Sequence, residues 1–354
     1  MRVGIMTGGG DAPGLNAVIR AFVKRGVGQL GLEVVGIEDS LAGLLHKPPG
    51  VRNLMPRDCR GLLQRGGTVL GTTNHGDPFA FPQKGGSVRD RSGDIADTLR
   101  ALGIEGLVSI GGDGSQRIAM RLMRERGIPV IGVPKTIDND LAATDITFGF
   151  RSAVDVATDA LDRLHTTAES HDRVMLLEVM GRDTGHIALE AGIAGGADVI
   201  LLPEIPYVPA RVASKIHRRR AMGRTFTIIV VAEGALPVGA SHADRAAALK
   251  RGGGASAIVV EALKPFVDSE MRVTVLGHLQ RGGSPIAYDR VLATRFGVAA
   301  AEAVAAGEWG KMVRLHNGVV DLVPLEQAVA ANRYVDPDGD LVRVARATGV
   351  EFGA

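Results

Sequence analysis

Residues 106–140 read GLVSIGGDGSQRIAMRLMRERGIPVIGVPKTIDND, and this stretch decides the fold. Leu107–Ile110 and Val130–Val133 are short, continuous apolar runs, the mark of strands buried on both faces. Between them Ser115–Arg126 has helical period, and each run ends in a turn rich in glycine or carboxylate. A strand, a turn, a helix and a second strand within 35 residues make a right-handed parallel crossover.

The same alternation extends in both directions. Val3–Met6, Val34–Ile37, Val174–Val179, Val199–Leu202, Thr227–Val231 and Val273–Leu276 read as further buried parallel strands. Leu15–Arg25, Ala153–Leu164, Val212–Met222, Ala257–Phe266 and Tyr288–Ala306 read as helices. Asn74–Gly93 and Gly234–Gly254 have loop composition. The expected architecture is α/β, with doubly wound, mainly parallel sheets flanked by helices. A length of 354 residues suits two such domains or one large α/β unit, and two are expected.

Composition narrows the function classes. Hydrophobic residues make up 45% and charged residues 23%, enough apolar material for sizeable cores. Forty-one Lys and Arg against 39 Asp and Glu leave a net charge of +2, with no bulk attraction to nucleic acid or membrane surfaces. The basic run His217–Arg220 reads as the solvated face of a helix. A single cysteine, Cys59, excludes an internal disulfide and a multi-cysteine metal site. The start, Met1-Arg2-Val3-Gly4, lacks the pattern of a secretory leader, and no apolar stretch is long enough to span a bilayer. The expectation is a soluble, cytoplasmic protein. Glycine is the strong bias, at 48 residues, and it collects where apolar runs end.

Three of those strand ends carry chemistry. Thr7-Gly8-Gly9-Gly10-Asp11-Ala12-Pro13-Gly14 leads into a helix, and bare glycines let backbone N–H groups approach an anion at a helix start. Pro13 stands where the third glycine of a dinucleotide fingerprint would fall, and no GxxxxGK[ST] occurs. Gly111-Gly112-Asp113-Gly114-Ser115 sets a carboxylate between glycines, a setting for Mg²⁺ near phosphates, with Ser115 placed to cap the next helix. NAD kinases and lipid kinases use a similar phrase. Pro134-Lys135-Thr136-Ile137-Asp138-Asn139-Asp140 carries two carboxylates at i and i+2, on one side if the segment is extended. An ionised Asp there can take a proton from a hydroxyl as its oxygen attacks phosphorus.

With these phrases in view, the chain resembles the 6-phosphofructokinases. GGGDAPGLN (8–16), GGDGS (111–115), PKTIDND (134–140), ESHDRV (169–174), LEVMGR (177–182) and TVLGHLQRGGSP (274–285) occur in that family's order, from about Arg2 to about Gly307. The resemblance implies a homo-oligomer, a tetramer, whose two-domain subunit joins MgATP and fructose 6-phosphate in a cleft between domains. The nucleotide-side domain would be 1–150 plus about 285–325, and the sugar-phosphate domain 151–284 plus about 326–354.

Roles carry over position by position. Gly9 and Asp11 resemble the phosphate loop, joined on the donor side by Gly112, Gly114, Ser115 and Lys135, with Asp113 as the Mg²⁺ ligand. Asp138 matches the base for the sugar 1-hydroxyl, and Asp140 and Thr136 its sugar-positioning and phosphoryl-contacting neighbours. Arg182 matches the arginine that stabilises the phosphoryl group in transit. Met180, Gly181 and Glu233 resemble sugar-hydroxyl contacts, and His278 and Arg281 the 6-phosphate pocket. Arg173 and Arg272 match arginines that reach that phosphate from a neighbouring subunit. Glu178, inside a strand, reads as structural.

The family's pyrophosphate-using branch has Asp where this chain has Gly114 and Lys at the position of Lys135; the familiar bacterial ATP users have Gly at both. The signature here is mixed. A carboxylate at 114 would repel the nucleotide's α-phosphate, so Gly114 carries the choice and points to ATP, with pyrophosphate as the alternative donor. Thr72-Thr73-Asn74-His75, Leu41 and Ile118 depart from the usual adenine side, and Lys24 and His165 stand where effector-site arginines are typical.

Overall fold

Leu107–Ile110 forms the middle of the strand Gly106–Gly111, every residue of which is buried. The computed structural model describes residues 1–74, 76–83, 85–250 and 253–354. These divide into two units, Met1–Arg151 with Arg281–Asn332, and Ser152–Gln280 with Arg333–Ala354.

In the first unit the sheet runs, edge to edge, Val319–Pro324, Lys311–His316, Val130–Thr136, Gly106–Gly111, Arg2–Gly8, Glu33–Ile37, Val51–Leu54. Its interior pairs are parallel, and both outermost pairs are antiparallel. Register matters most for the site. Gly8 lies opposite Gly111, and Gly111 opposite Pro134, so three strands end in one row. Gln116 ties two of these ends together: it is fully buried, and its Nε2 donates to the carbonyls of Gly111 and Val133, each at 3.0 Å. The helices Leu15–Gln29 and Ala287–Ala305 cross closely at Gly297, where a Cβ would stand 2.5 Å from the carbonyl of Val18.

The second unit carries a four-stranded parallel sheet, in the order Val199–Leu201, Thr227–Ala232, Val174–Val179, Met271–Val275. The first three strands are wholly buried. The chain's end returns to this sheet, with Glu351 bridging to Val199.

Several expectations need correcting. Met271–Val275 is not a buried strand: Val273 and Val275 are 42% and 55% exposed, because the strand lies at the sheet edge with one neighbour. Gly234–Gly254 holds the helix His242–Lys250, and Asn74–Gly93 holds the short ribbon of Phe81–Pro82 with Val88–Arg89. Arg219 is no solvated charge. Its guanidinium pairs with Asp198 at 2.5 Å, both side chains largely buried, and donates to the carbonyl of Phe226. No helix among the described residues is long and apolar enough to cross a membrane.

Candidate active site

The aligned ends of three strands place the first unit's candidate residues. After Gly8 the chain turns through Gly9 at φ +78°, a conformation that favours glycine. Thr72 Oγ1 donates to the carbonyl of Gly9 at 2.6 Å, and the Gly9 amide donates to the carbonyl of Thr73 at 3.1 Å. Asn16, fully buried at the end of the GGGDAPGLN phrase, pins the facing segment through the carbonyl of Arg65 and the amide of Val69. The loop is therefore held from outside its own residues.

The second turn opens the helix Asp113–Arg126, which begins at Asp113 with Gly112 before it. Ser115 is thus the third helical residue and caps nothing; its Oγ instead lies where a Cβ on Gly8 would meet it at 2.8 Å. Both carboxylate oxygens of Asp113 accept from Arg117 Nε, at 2.9 and 3.0 Å. A Cβ on Gly114 would meet no heavy atom within 4 Å, so the space beside that residue is open.

The third turn leaves the sheet at Thr136. Asn139 has φ +55°, so residues 137–140 turn instead of running extended, and strand alternation does not set the sides of the two carboxylates. Hydrogen bonds set the turn: the Asp138 amide donates to Thr136 Oγ1 at 3.0 Å, and Thr147 Oγ1 donates to the carbonyl of Thr136 at 2.7 Å. Asp138 and Asp140 are both buried. Lys135 is buried too. Its ammonium donates to the carbonyl of Gly10, and burial, with Arg281 nearby, pushes it down to about 8. Arg281 belongs to this unit, donating from Nη1 to the carbonyl of Asp11 at 3.0 Å.

In the second unit Val174–Val179 leads to Met180, Gly181 and Arg182. Gly181 has φ +143° and Arg182 φ +56°. Glu233, after the neighbouring strand Thr227–Ala232, accepts from both of their amides through Oε1. It builds the turn on which Arg182 stands. Behind the turn, Glu204 Oε1 accepts from the amides of Gly185 and Val335, and burial raises its pKa. His186, with Nε2 3.4 Å from the carbonyl of Arg333, is pushed down to about 4 by burial.

Arg173 and Arg272 meet at one carboxylate that the sequence reading left out. Arg173 Nε pairs with Glu270 Oε2 at 2.5 Å, and Arg272 pairs with Glu270 Oε1. Only the EMR spacing before a strand hinted at this. His278, in the short 3-10 turn Gly277–Gln280, is exposed. Glu178 is structural as expected, accepting from the amide and hydroxyl of Ser256 at the start of the helix Ala255–Leu263.

Leu41 is buried in an apolar cluster against which Ile118 packs. His165 lies edge-on to Phe226 with Nε2 2.7 Å from the carbonyl of Gly195, and Lys24 is exposed. His75 lies outside the described residues.

Known proteins resemble this chain along nearly its whole length. The family model described as Phosphofructokinase matches residues 2–304. The curated ATP-dependent 6-phosphofructokinase of Chloroflexus aggregans is 54% identical over 354 residues, covering 99% of this chain and 98% of its own. The ATP-dependent 6-phosphofructokinase 1 of a Synechocystis strain is 48% identical over 357 residues, with 99% and 98% covered. Among solved structures, phosphofructokinase from Saccharomyces cerevisiae matches with a TM-score of 0.78 at 32% identity, over 93% of this chain and 45% of the yeast chain.

Proposed function

The chain belongs to the phosphofructokinase family, and we propose that it transfers the terminal phosphoryl group of ATP to the 1-hydroxyl of fructose 6-phosphate, giving fructose 1,6-bisphosphate in glycolysis. The observation that carries this reading is the row Gly8, Gly111, Pro134, which brings two glycine turns and the Asp138 turn to one end of one sheet.

Each residue then has a task that its chemistry can perform. The Gly10 and Asp11 amides, which follow the bend at Gly9, receive phosphate oxygens at the start of a helix. Asp138 takes the proton of the 1-hydroxyl as that oxygen attacks phosphorus, with Thr136 and Asp140 beside it positioning the reacting groups. Arg182 offers a planar guanidinium to the charge on the phosphoryl group in transit. Met180, Gly181 and Glu233 shape the sugar's surroundings, and His278 and Arg281 serve the 6-phosphate.

A divalent cation fits the same reading. Among the described residues no cluster of three or more His, Cys, Asp or Glu is arranged to hold a metal. Mg²⁺ needs only one or two carboxylates, the rest of its shell being water and phosphate oxygens, and Asp113, which accepts from Arg117 in this structure, would supply one by sharing its carboxylate with that arginine. Bound there, Mg²⁺ would neutralise charge between the donor's phosphates.

Arg173 and Arg272 are the residues we assign to the sugar phosphate of a neighbouring subunit, in a tetramer. Arg272 stands exposed on the edge strand, and Arg173, just before the adjacent strand, reaches the same Glu270, which supports this. A cytoplasmic location belongs to the same reading. The test is product identity. Fructose 6-phosphate and γ-labelled ATP should yield a bisphosphate labelled at C1; label elsewhere, or none on the sugar, would remove the assignment.

A further inference from the structure

Lys135 is 4% exposed, and a buried ammonium needs fixed partners. Its Nζ donates to the carbonyl of Gly10. Arg281 donates to the next carbonyl, that of Asp11, at 3.0 Å. Two cations from distant parts of the chain therefore hold two successive carbonyls of one turn. The glycines make this approach possible. A Cβ on Gly10 would lie 2.6 Å from Arg281 Nη1, and one on Gly9 would lie 3.5 Å from Lys135 Nζ.

A trans peptide is planar, with C=O and the following N–H pointing opposite ways. Holding the carbonyls of Gly10 and Asp11 against cations thus turns the amides of Asp11 and Ala12 away from them. Lys135 is also absent from the open space beside Gly114, where a Cβ would meet no heavy atom within 4 Å.

We propose that Lys135 is a positioning residue, whose ammonium tethers the Gly10 carbonyl so that the following amides face the phosphoryl donor, and which does not choose between donors. This rests on the reading of residues 8–14 as the donor's phosphate loop. It accounts for a lysine in a chain that also keeps Gly114: the charge is spent on the loop's own carbonyl. The groups facing the ammonium are Arg281, which lowers its pKa together with burial, and Asp138, Asp11 and Asp140, which oppose that shift. The tether should loosen as pH rises through about 8.

The experiment compares wild type, Lys135→Met and Lys135→Arg by amide hydrogen exchange over residues 8–14 without ligand, and by kinetics with MgATP and with pyrophosphate. Lys135→Met should speed loop exchange about tenfold and raise KM for MgATP by about the same factor, the size of one charged hydrogen bond. Its kcat should change less than its KM, and it should gain no preference for either donor. Lys135→Arg, which keeps its charge, should restore most of the protection and lack the wild-type weakening of ATP binding above pH 8. Unchanged loop exchange in Lys135→Met would overturn the tether. So would a loss confined to kcat, which marks direct contact with the transferred group. Faster exchange in a protein that uses neither donor would uphold the tether and remove the functional reading instead.

Discussion

The amide of Arg182 donates to Oε1 of Glu233 at 2.5 Å, and the amide of Gly181 shares that oxygen at 3.2 Å. Arg182 is in the left-handed region at φ +56°, a conformation that costs a side-chain-bearing residue about 1 kcal/mol or more. The carboxylate is what holds it there. Glu233→Ala should lower kcat/KM by about 10²-fold through loss of two charged hydrogen bonds, and Glu233→Gln, which keeps an acceptor, by clearly less. Steady-state kinetics on both variants check this; equal losses would mean that the charge acts on substrate and not on the turn.

Asp138→Asn keeps shape and hydrogen bonding but cannot accept a proton. Its kcat should fall by at least about 10²–10⁴-fold, with KM for fructose 6-phosphate little changed. Retention of more than about a tenth of wild-type kcat would take Asp138 out of the base role.

The pairing of Arg173 and Arg272 on Glu270 bears on assembly. If both arginines serve a neighbour's site, inactive Asp138→Asn and inactive Arg173→Ala proteins should regain partial activity once their subunits are reassorted. Hybrids that form, as judged by native mass, and stay inactive would sink the shared site.

Lys135 also predicts a pH effect on stability. Its folded pKa, about 8, lies below the ordinary 10.5, so between these values the unfolded chain binds more protons. Stability from this group therefore rises with pH across that window. Wild type should gain in Tm relative to Lys135→Met between pH 8 and 10, while its ATP binding weakens. Parallel melting curves for the two proteins would contradict the shift.

Much of this was legible from residues alone, and the misses have physical causes. Parallel strands buried on both faces announce themselves as apolar runs, so Leu107–Ile110 and Val174–Val179 were readable. The hairpin Lys311–His316 with Val319–Pro324 was overlooked, although Asn317 and Gly318, both at positive φ, are a strong turn signal. His186–Ala194 is apolar on most sides, with no helical stripe to read. Val273 and Val275 misled because apolar residues at a sheet edge are as apolar as those inside. In the candidate site, motif spacing singled out Asp113, Lys135 and Asp138. It did not reveal that Lys135 and Arg281 grip the carbonyls of Gly10 and Asp11, since such contacts join residues 125 and 270 positions apart.

ATP as donor is tested most directly by kcat/KM for MgATP and for pyrophosphate at saturating fructose 6-phosphate, in wild type and in Gly114→Asp. The open space at Gly114 admits the new side chain, so the variant should fold and place a negative charge beside the α-phosphate. Wild type should use MgATP well and pyrophosphate poorly, and Gly114→Asp should lose about 10²-fold or more with ATP while its affinity for the sugar phosphate holds. A wild type with the higher kcat/KM on pyrophosphate would overturn ATP as the donor and Gly114 as the residue that admits it.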